Sequence, residues 1–457
     1  MNAKFLTQLR QALPDEAIIT DLERRQAYGS DTSRYFGLPE FVVLPTQHQQ
    51  IESIVKLCNE FHVFLTTRGL GSGTTGAAVP IQGGIVVSLE RMNQIITVDT
   101  DNRVLVAEAG VTNQQVQNAA KLQGFFWPCD PGSGAFCTLG GNLACSAAGP
   151  HAIKYGTARE NTLGLTAITG SGETIKTGVY TTKGVVGYDL TRLLIGSEGT
   201  LAIITQATLK LIPLPEGSTT LRAFYADITS ATQAVTAIMQ QPIIPSALEY
   251  VDGKALAMIS AYANIKFPAQ AQAMLLIEVD GAVNALAEAQ EKIVNAAINT
   301  GLLAIEKAGT PAEAEQIWAT RKLLSPALKT IAPKKINEDI VVPVARMPDL
   351  IEGTEKLGQQ YNINIINFGH AGNGNIHVNL MIDPTDVNQE KNAAICLEKI
   401  FDLVLQLNGT LSGEHGVGID KRPFITKEIT PATLNIMRGI KNSFDPEGIL
   451  NPGKLYP

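Results

Sequence analysis

The sequence predicts an α+β protein of more than one domain, and three observations carry that prediction. Its 457 residues exceed the length at which one hydrophobic core usually keeps growing. A strand–helix–strand pattern and a glycine-dense tract fill the first half. Beyond Pro213-Leu214-Pro215-Glu216-Gly217, strand-like segments alternate with Ala-rich helical ones. That alternation suggests an antiparallel sheet covered on one side by helices.

Residues 1–40 read as a short amphipathic helix and a polar connector around Tyr28-Gly29-Ser30-Asp31. Val42-Val43-Leu44-Pro45 reads as a short strand. Thr46 with Gln49 forms a capping box, and Ile51, Ile54, Val55 and Cys58 recur at helical spacing. Val63-Phe64-Leu65-Thr66 follows as the next strand and completes a βαβ unit. Ile85–Leu89 is another strand, and Ile95–Val98 with Val104–Ala107 form a hairpin turning at Thr100-Asp101-Asn102. Along Leu201–Ile212, Ala207, Leu209 and Leu211 alternate with Gln206, Thr208 and Lys210, the mark of a half-buried strand. In the second half Leu221–Tyr225 and Met274–Val279 are strand-like, while Ala231–Met239 and Val283–Asn299 are helical.

Composition excludes several classes. Hydrophobic residues at 45% and charged residues at 17% supply large cores and do not describe a disordered chain. A net charge of -7 without a basic run argues against nucleic acid as a partner. Five cysteines without a C-x-x-C pair fit neither a disulfide framework nor a zinc knuckle. No apolar h-region marks the N-terminus, and no stretch approaches the ~18 apolar residues of a spanning helix. A cytoplasmic protein is expected, with peripheral attachment at the inner face of the membrane left open.

Two glycine-rich segments hold three of the six histidines: Phe368-Gly369-His370-Ala371-Gly372-Asn373-Gly374-Asn375-Ile376-His377 and Ser412-Gly413-Glu414-His415-Gly416-Val417-Gly418. Gly372 and Gly374, free of Cβ, let the backbone fold so that His370 and His377 converge. Glu414 can add a carboxylate, giving a His/His/Glu set with open positions, as a catalytic divalent metal requires. His415 is then left as a proton carrier. The competing reading is two turns whose histidines bond to backbone; the clustering favours a site.

A second glycine loop, Thr67-Arg68-Gly69-Leu70-Gly71-Ser72-Gly73-Thr74-Thr75-Gly76, follows a predicted strand. Its successive N–H groups can point at one anion, a nest for a pyrophosphate. It lacks the P-loop lysine. The strip Asp130–Gly149 is almost free of long side chains, a surface on which a large flat ligand can lie against backbone. Gly196-Ser197-Glu198-Gly199-Thr200 adds another small-residue turn.

With these five motifs in order, the chain resembles the FAD-dependent 2-hydroxyacid dehydrogenases of the vanillyl-alcohol-oxidase flavoprotein superfamily. That group includes D-lactate dehydrogenases, the glycolate oxidase catalytic subunit and D-2-hydroxyglutarate dehydrogenases. The resemblance spans roughly residues 40–455. It implies an N-terminal helical segment over 1–40 and a two-subdomain, PCMH-type FAD-binding domain over 41–215. A substrate or cap domain carrying the metal-loop histidines would cover 216–405, and a C-terminal segment returning to the flavin 406–457. It places non-covalent FAD along Arg68, Gly69, Gly71, Ser72, Gly73 and Thr74, with the pyrophosphate on that loop. Asp130, Ser133, Gly140, Gly141, Asn142, Ser146 and Ala147 follow along the cofactor, with Ile203 near the adenosine side and Asn451 in the tail. Relatives usually carry Asp where Asn373 stands, so the metal loop here has one negative charge fewer.

Arg321, within Ile317-Trp318-Ala319-Thr320-Arg321, lies on a predicted helix. Its guanidinium can hold a substrate carboxylate by two parallel hydrogen bonds. The Trp-x-x-Arg setting resembles the family's carboxylate-binding position. Ser325, one helical turn on, matches a hydroxyl position of the D-2-hydroxyglutarate enzymes, and Lys335 and Asn375 join the substrate set. Tyr250 can line the pocket or the core. The implied reaction is oxidation of a D-2-hydroxy acid to the 2-oxo acid. D-lactate comes first, then D-2-hydroxyglutarate and glycolate, with Zn2+ or Mn2+ as the metal and His415 as the base. A quinone, a cytochrome or an electron-transferring flavoprotein would take the electrons, and a homodimer is possible. Two rivals are a non-catalytic flavin-binding subunit of an electron-transfer complex and a metal hydrolase. The histidines count against the first and the phosphate-binding half against the second.

Overall fold

The computed structural model describes residues 3–456, so Met1 and Asn2 of the expected N-terminal segment and Pro457 of the tail lie outside it. The chain divides into two compact units. One holds the chain up to Ala148, Gly156–Leu214 and everything from Glu414 on; the other holds Gly149–Tyr155 and Pro215–Gly413.

The first unit contains two principal sheets. Its four-stranded sheet runs in the order Ile18–Ile19, Phe41–Val43, Ile85–Ser88, Leu65–Arg68, with the last three strands parallel. Ile85–Ser88 therefore lies between the two strands of the expected βαβ unit, and the second of these starts two residues later than the apolar run suggested. The helix His48–Phe61 connects them and buries Ile51, Ile54, Val55 and Cys58. Its cap differs from the expected Thr46/Gln49 box. Helix formation starts at His48, which makes Gln50 the third helical residue; its side chain accepts from the N–H of Thr46 (2.8 Å) and of Gln47 (3.1 Å).

The five-stranded sheet is antiparallel throughout, ordered Ile95–Asp99, Val104–Glu108, Ala202–Lys210, Thr162–Thr169, Thr174–Gly178. Ala207 and Leu209 face a core shared with Leu105, Leu165 and Trp127. The Trp127 indole N–H inside that core is satisfied by the Asn161 carbonyl at 3.0 Å, as a buried donor requires.

The second unit is built on a seven-stranded antiparallel sheet. Its order is Leu302–Lys307, Gly217–Tyr225, Ala273–Gly281, Ala247–Asp252, Asn364–His370, Asn375–Ile382, Lys334–Val341. One face meets the helices Leu286–Ala297 and Met347–Tyr361, shown by Tyr225 donating to the Ala297 carbonyl (2.9 Å) and Asn367 to Thr354 Oγ1 (3.3 Å). The opposite face is also partly covered. There Phe224, Val251, Met274, Ile366 and Phe368 pack with Leu256, Ile259, Leu324 and Leu328 from the helices Gly253–Ala263 and Leu324–Leu328.

Side chains alternate across a strand, and the register then decides what shares this second face. Val251 pairs with Phe368, Phe368 with His377 and His377 with Asp339. Glu249, His370 and Asn337, each two residues along from one of these, project to the same side. Among the described residues, no helix is long and apolar enough to cross a membrane.

Candidate metal and carboxylate site

His370 and His377 converge through a β-hairpin rather than a free loop. His370 ends one strand, a short turn spans Ala371–Asn373, and His377 sits in the next strand. Gly374 has φ +70° and turns the chain. A Cβ on Gly372 would come within 1.9 Å of the Ile153 side-chain tip, so a side chain there would have to push that tip aside. The imidazoles stand edge to face with centroids 5.4 Å apart, and both residues are buried. Asn373 is exposed at the tip.

The unit boundary falls on the Gly413–Glu414 peptide bond. Gly413 donates its N–H to the buried Asp339 carboxylate at 2.9 Å, and the Ser412 hydroxyl reaches the same group at 3.3 Å. One ligand atom each from His370, His377 and Glu414 lie within 4.8 Å of one another. An N/N/O set so spaced suits a small divalent cation with open positions.

Behind His370 stands Glu249, fully buried in the strand Ala247–Asp252. One carboxylate oxygen lies 2.6 Å from His370 Nδ1, and the other accepts from Arg321 Nε at 2.6 Å. Burial opposes ionisation of Glu249, but the neighbouring His370 and Arg321 outweigh it and hold the carboxyl at about 2. With Nδ1 engaged there, Nε2 is the His370 nitrogen left for a ligand, the usual arrangement of a metal-binding histidine.

Arg321 is thus no solvated surface residue. Its helix, Pro311–Lys322, meets the sheet through two acids: Trp318 donates to Glu278 (2.9 Å) and Arg321 to Glu249. This is the physical content of the Trp-x-x-Arg spacing, since residues three apart share a helix face. The guanidinium also lies over the Phe368 ring, 5.2 Å from its centroid. Ser325 is exposed on the following short helix, separated from that of Arg321 by Leu323. Lys335 is exposed opposite Met381. Asn375 is buried and donates to the Ile340 carbonyl at 3.0 Å. Tyr250 is fully buried on the other face of its strand, which makes it a core residue.

In the first unit, Gly416 (φ +85°) and Gly418 (φ +52°) turn the chain just after Glu414 and His415. Buried Glu198 holds it: its carboxylate accepts from the N–H of Val417 (2.5 Å) and Gly418 (2.7 Å). Burial raises the Glu198 pKa, and these two N–H groups oppose that rise. His415 is half-buried.

The loop after Leu65–Arg68 turns its carbonyls toward the N-terminal connector, where the Thr32 hydroxyl meets those of Ser72 (3.2 Å) and Gly73 (2.7 Å). Among the described residues, no protein acceptor meets the N–H groups of Leu70, Gly71, Ser72 or Gly73. The Thr67 hydroxyl is likewise buried without a partner. A row of donors of this kind fits a pyrophosphate. The Arg68 guanidinium packs under Gly71 and donates to the Ser30 carbonyl at 2.6 Å, bracing the loop from behind.

In the cofactor strip, Thr138 caps the helix Leu139–Cys145, which contains Gly140, Gly141 and Asn142. The Asn142 side chain is turned inward to Asn113 (3.1 Å). Asp130, Ser133, Ser146 and Ala147 are half-buried, and Ser146 ends the helix at φ +54°. Ile203 is fully buried in the core. Asn451 donates to the carbonyls of Glu198 (2.5 Å) and Ala77 (3.0 Å), tying the tail to the glycine loop.

Glu249, Glu278, Asp339 and Glu198 were not singled out from the sequence. Glu249 and Glu278 share one readable signal: an acid within a largely apolar strand must find a partner when buried.

Sequence and fold comparisons show the family. Residues 39–178 match the family described as "FAD binding domain", and residues 214–455 that described as "FAD linked oxidases, C-terminal domain". Glycolate oxidase subunit GlcD of Bacillus subtilis (strain 168) is 36% identical, over 94% of this chain and 92% of that protein. D-lactate dehydrogenase of Anaerostipes hadrus is 31% identical, over 99% and 97%. A structure of p-cresol methylhydroxylase with substrate bound has TM-score 0.81 at 16% identity, covering 99% of this chain and 96% of that one, a likeness of fold. Together these define an FAD-binding oxidoreductase. The chain belongs to the FAD-linked oxidases.

Proposed function

We propose that the chain oxidises a D-2-hydroxy acid, D-lactate first, to the corresponding 2-oxo acid, with non-covalent FAD as the immediate electron acceptor. The observation that carries this reading is the single carboxylate of Glu249 joining Arg321 to His370. A carboxylate-binding guanidinium and a cation-binding imidazole are thereby held as neighbours, and a 2-hydroxy acid offers a carboxylate and a hydroxyl on adjacent carbons. The names of the relatives, a glycolate oxidase subunit and a D-lactate dehydrogenase, support the same substrate class.

His370, His377 and Glu414 would hold a Zn2+ or Mn2+ ion, and the Leu70–Gly73 loop the FAD pyrophosphate. When bound, these groups supply a Lewis acid that lowers the pKa of a ligated hydroxyl and a two-electron acceptor. Arg321 fixes the substrate carboxylate through the Nη groups that Glu249 leaves available. Asn375, Ser325 and Lys335 remain the further substrate residues proposed. His415 takes the hydroxyl proton; with the hydride leaving Cα, the C–O bond becomes the carbonyl of the 2-oxo acid.

D-2-hydroxyglutarate and glycolate are the next substrates in rank. The electrons would pass on to a quinone, a cytochrome or an electron-transferring flavoprotein, with the protein cytoplasmic or peripheral at the inner membrane face. Anaerobic addition of a panel of D- and L-2-hydroxy acids tests the reading. D-lactate is expected to bleach the flavin fastest and the L-acids to leave it yellow; no bleaching by any member overturns it.

A further inference from the structure

We infer that Glu249 is a positioning residue shared by the two arms of the site, orienting His370 as a metal ligand and Arg321 as a carboxylate clamp at once. This rests on the function proposed above. Three observations carry it. The two contacts are both 2.6 Å and use different oxygens of one carboxylate. Glu249 is fully buried, so water does not replace either contact. Its donors come from distant parts of the chain, 72 and 121 residues away, so no local backbone preference accounts for the pairing.

The consequence for each arm is chemical. On the histidine side, the carboxylate accepts a hydrogen bond from Nδ1–H and leaves the Nε2 lone pair outward. On the arginine side, it uses Nε and stops rotation of the guanidinium plane, presenting Nη1 and Nη2 together as the fork that matches a carboxylate. A helix residue and a strand residue are thereby set in one orientation by one group. Phe368 below the guanidinium limits its movement on the remaining side.

Glu249→Gln separates this role from mere filling of space. The amide has nearly the same volume but one acceptor oxygen, so it cannot keep both contacts, which use different oxygens. If its NH2 turns to His370, the ring must carry its proton on Nε2 and lose its ligand lone pair. If it turns to Arg321, two donors face each other and the fork swings.

The test uses the full flavoprotein after chelation, titrated with Zn2+ and followed by calorimetry, with flavin absorbance as the check on folding. Glu249→Gln is expected to weaken Zn2+ binding by roughly 10–100-fold, the usual effect of losing an outer partner of a metal histidine. At saturating Zn2+, KM for D-lactate should rise by about tenfold or more while kcat changes less. Glu249→Asp keeps the charge but not the reach to both donors, and should fall between wild type and Gln. It also carries the test if the Gln variant fails to retain FAD. Wild-type Zn2+ affinity and KM in either variant that folds overturn the inference. His377→Ala in the same titration is the separate control: unchanged Zn2+ binding there would sink the metal site itself, whatever Glu249 does.

Discussion

His377→Ala is expected to empty the metal site and nearly abolish turnover. Among the described residues, the groups that could hold a metal there are His370, His377 and Glu414, and a catalytic site keeps its remaining positions for water and substrate. The loss should exceed the ~10–100-fold drop typical of an outer partner, because a ligand itself is removed. His377 is buried between Phe368 and His370 in mid-sheet, so the variant leaves a small cavity rather than a broken strand. Flavin content should stay at the wild-type level, since the glycine loop lies in the other unit. Metal analysis beside the flavin spectrum checks this; full metal occupancy in the variant would remove His377 from the ligand set.

His415→Ala should behave differently. Its metal and FAD are expected to remain, while flavin reduction by D-lactate slows roughly 10²–10⁴-fold, the range for a lost general base. The turn that carries His415 is anchored by backbone N–H groups on Glu198 and by Gly416 and Gly418. None of these depends on the imidazole. Single-turnover flavin bleaching and metal analysis on the same preparation decide the outcome. Metal loss as complete as in His377→Ala would make His415 a ligand and defeat its assignment as base.

Much of the scaffold was legible because it depends on neighbours in sequence. The hairpin of Ile95–Asp99 and Val104–Glu108 follows from its turn residues, and the buried alternation of Ala207 and Leu209 from period two. The His370/His377 cluster was visible through its glycines. Glu249 escaped because its partners lie 72 and 121 residues away, and Glu198 because it meets Val417 at a separation of 219. Contacts of that range leave no periodic trace. Their only local mark is a charge placed where burial would otherwise forbid one. The insertion of Ile85–Ser88 between Phe41–Val43 and Leu65–Arg68 was hidden for the same reason: strand order in a parallel sheet is set by long-range pairing.

If the His/His/Glu centre holds a metal needed to pass electrons from a D-2-hydroxy acid to FAD, removing that metal stops flavin reduction. The most direct measurement is anaerobic stopped-flow bleaching by D-lactate of the chelated flavoprotein, before and after Zn2+ or Mn2+ is restored. The chelated protein should stay yellow through many wild-type turnover times, and restoring the metal should return rapid bleaching. Equal bleaching rates in the two samples would mean that no metal takes part in the oxidation.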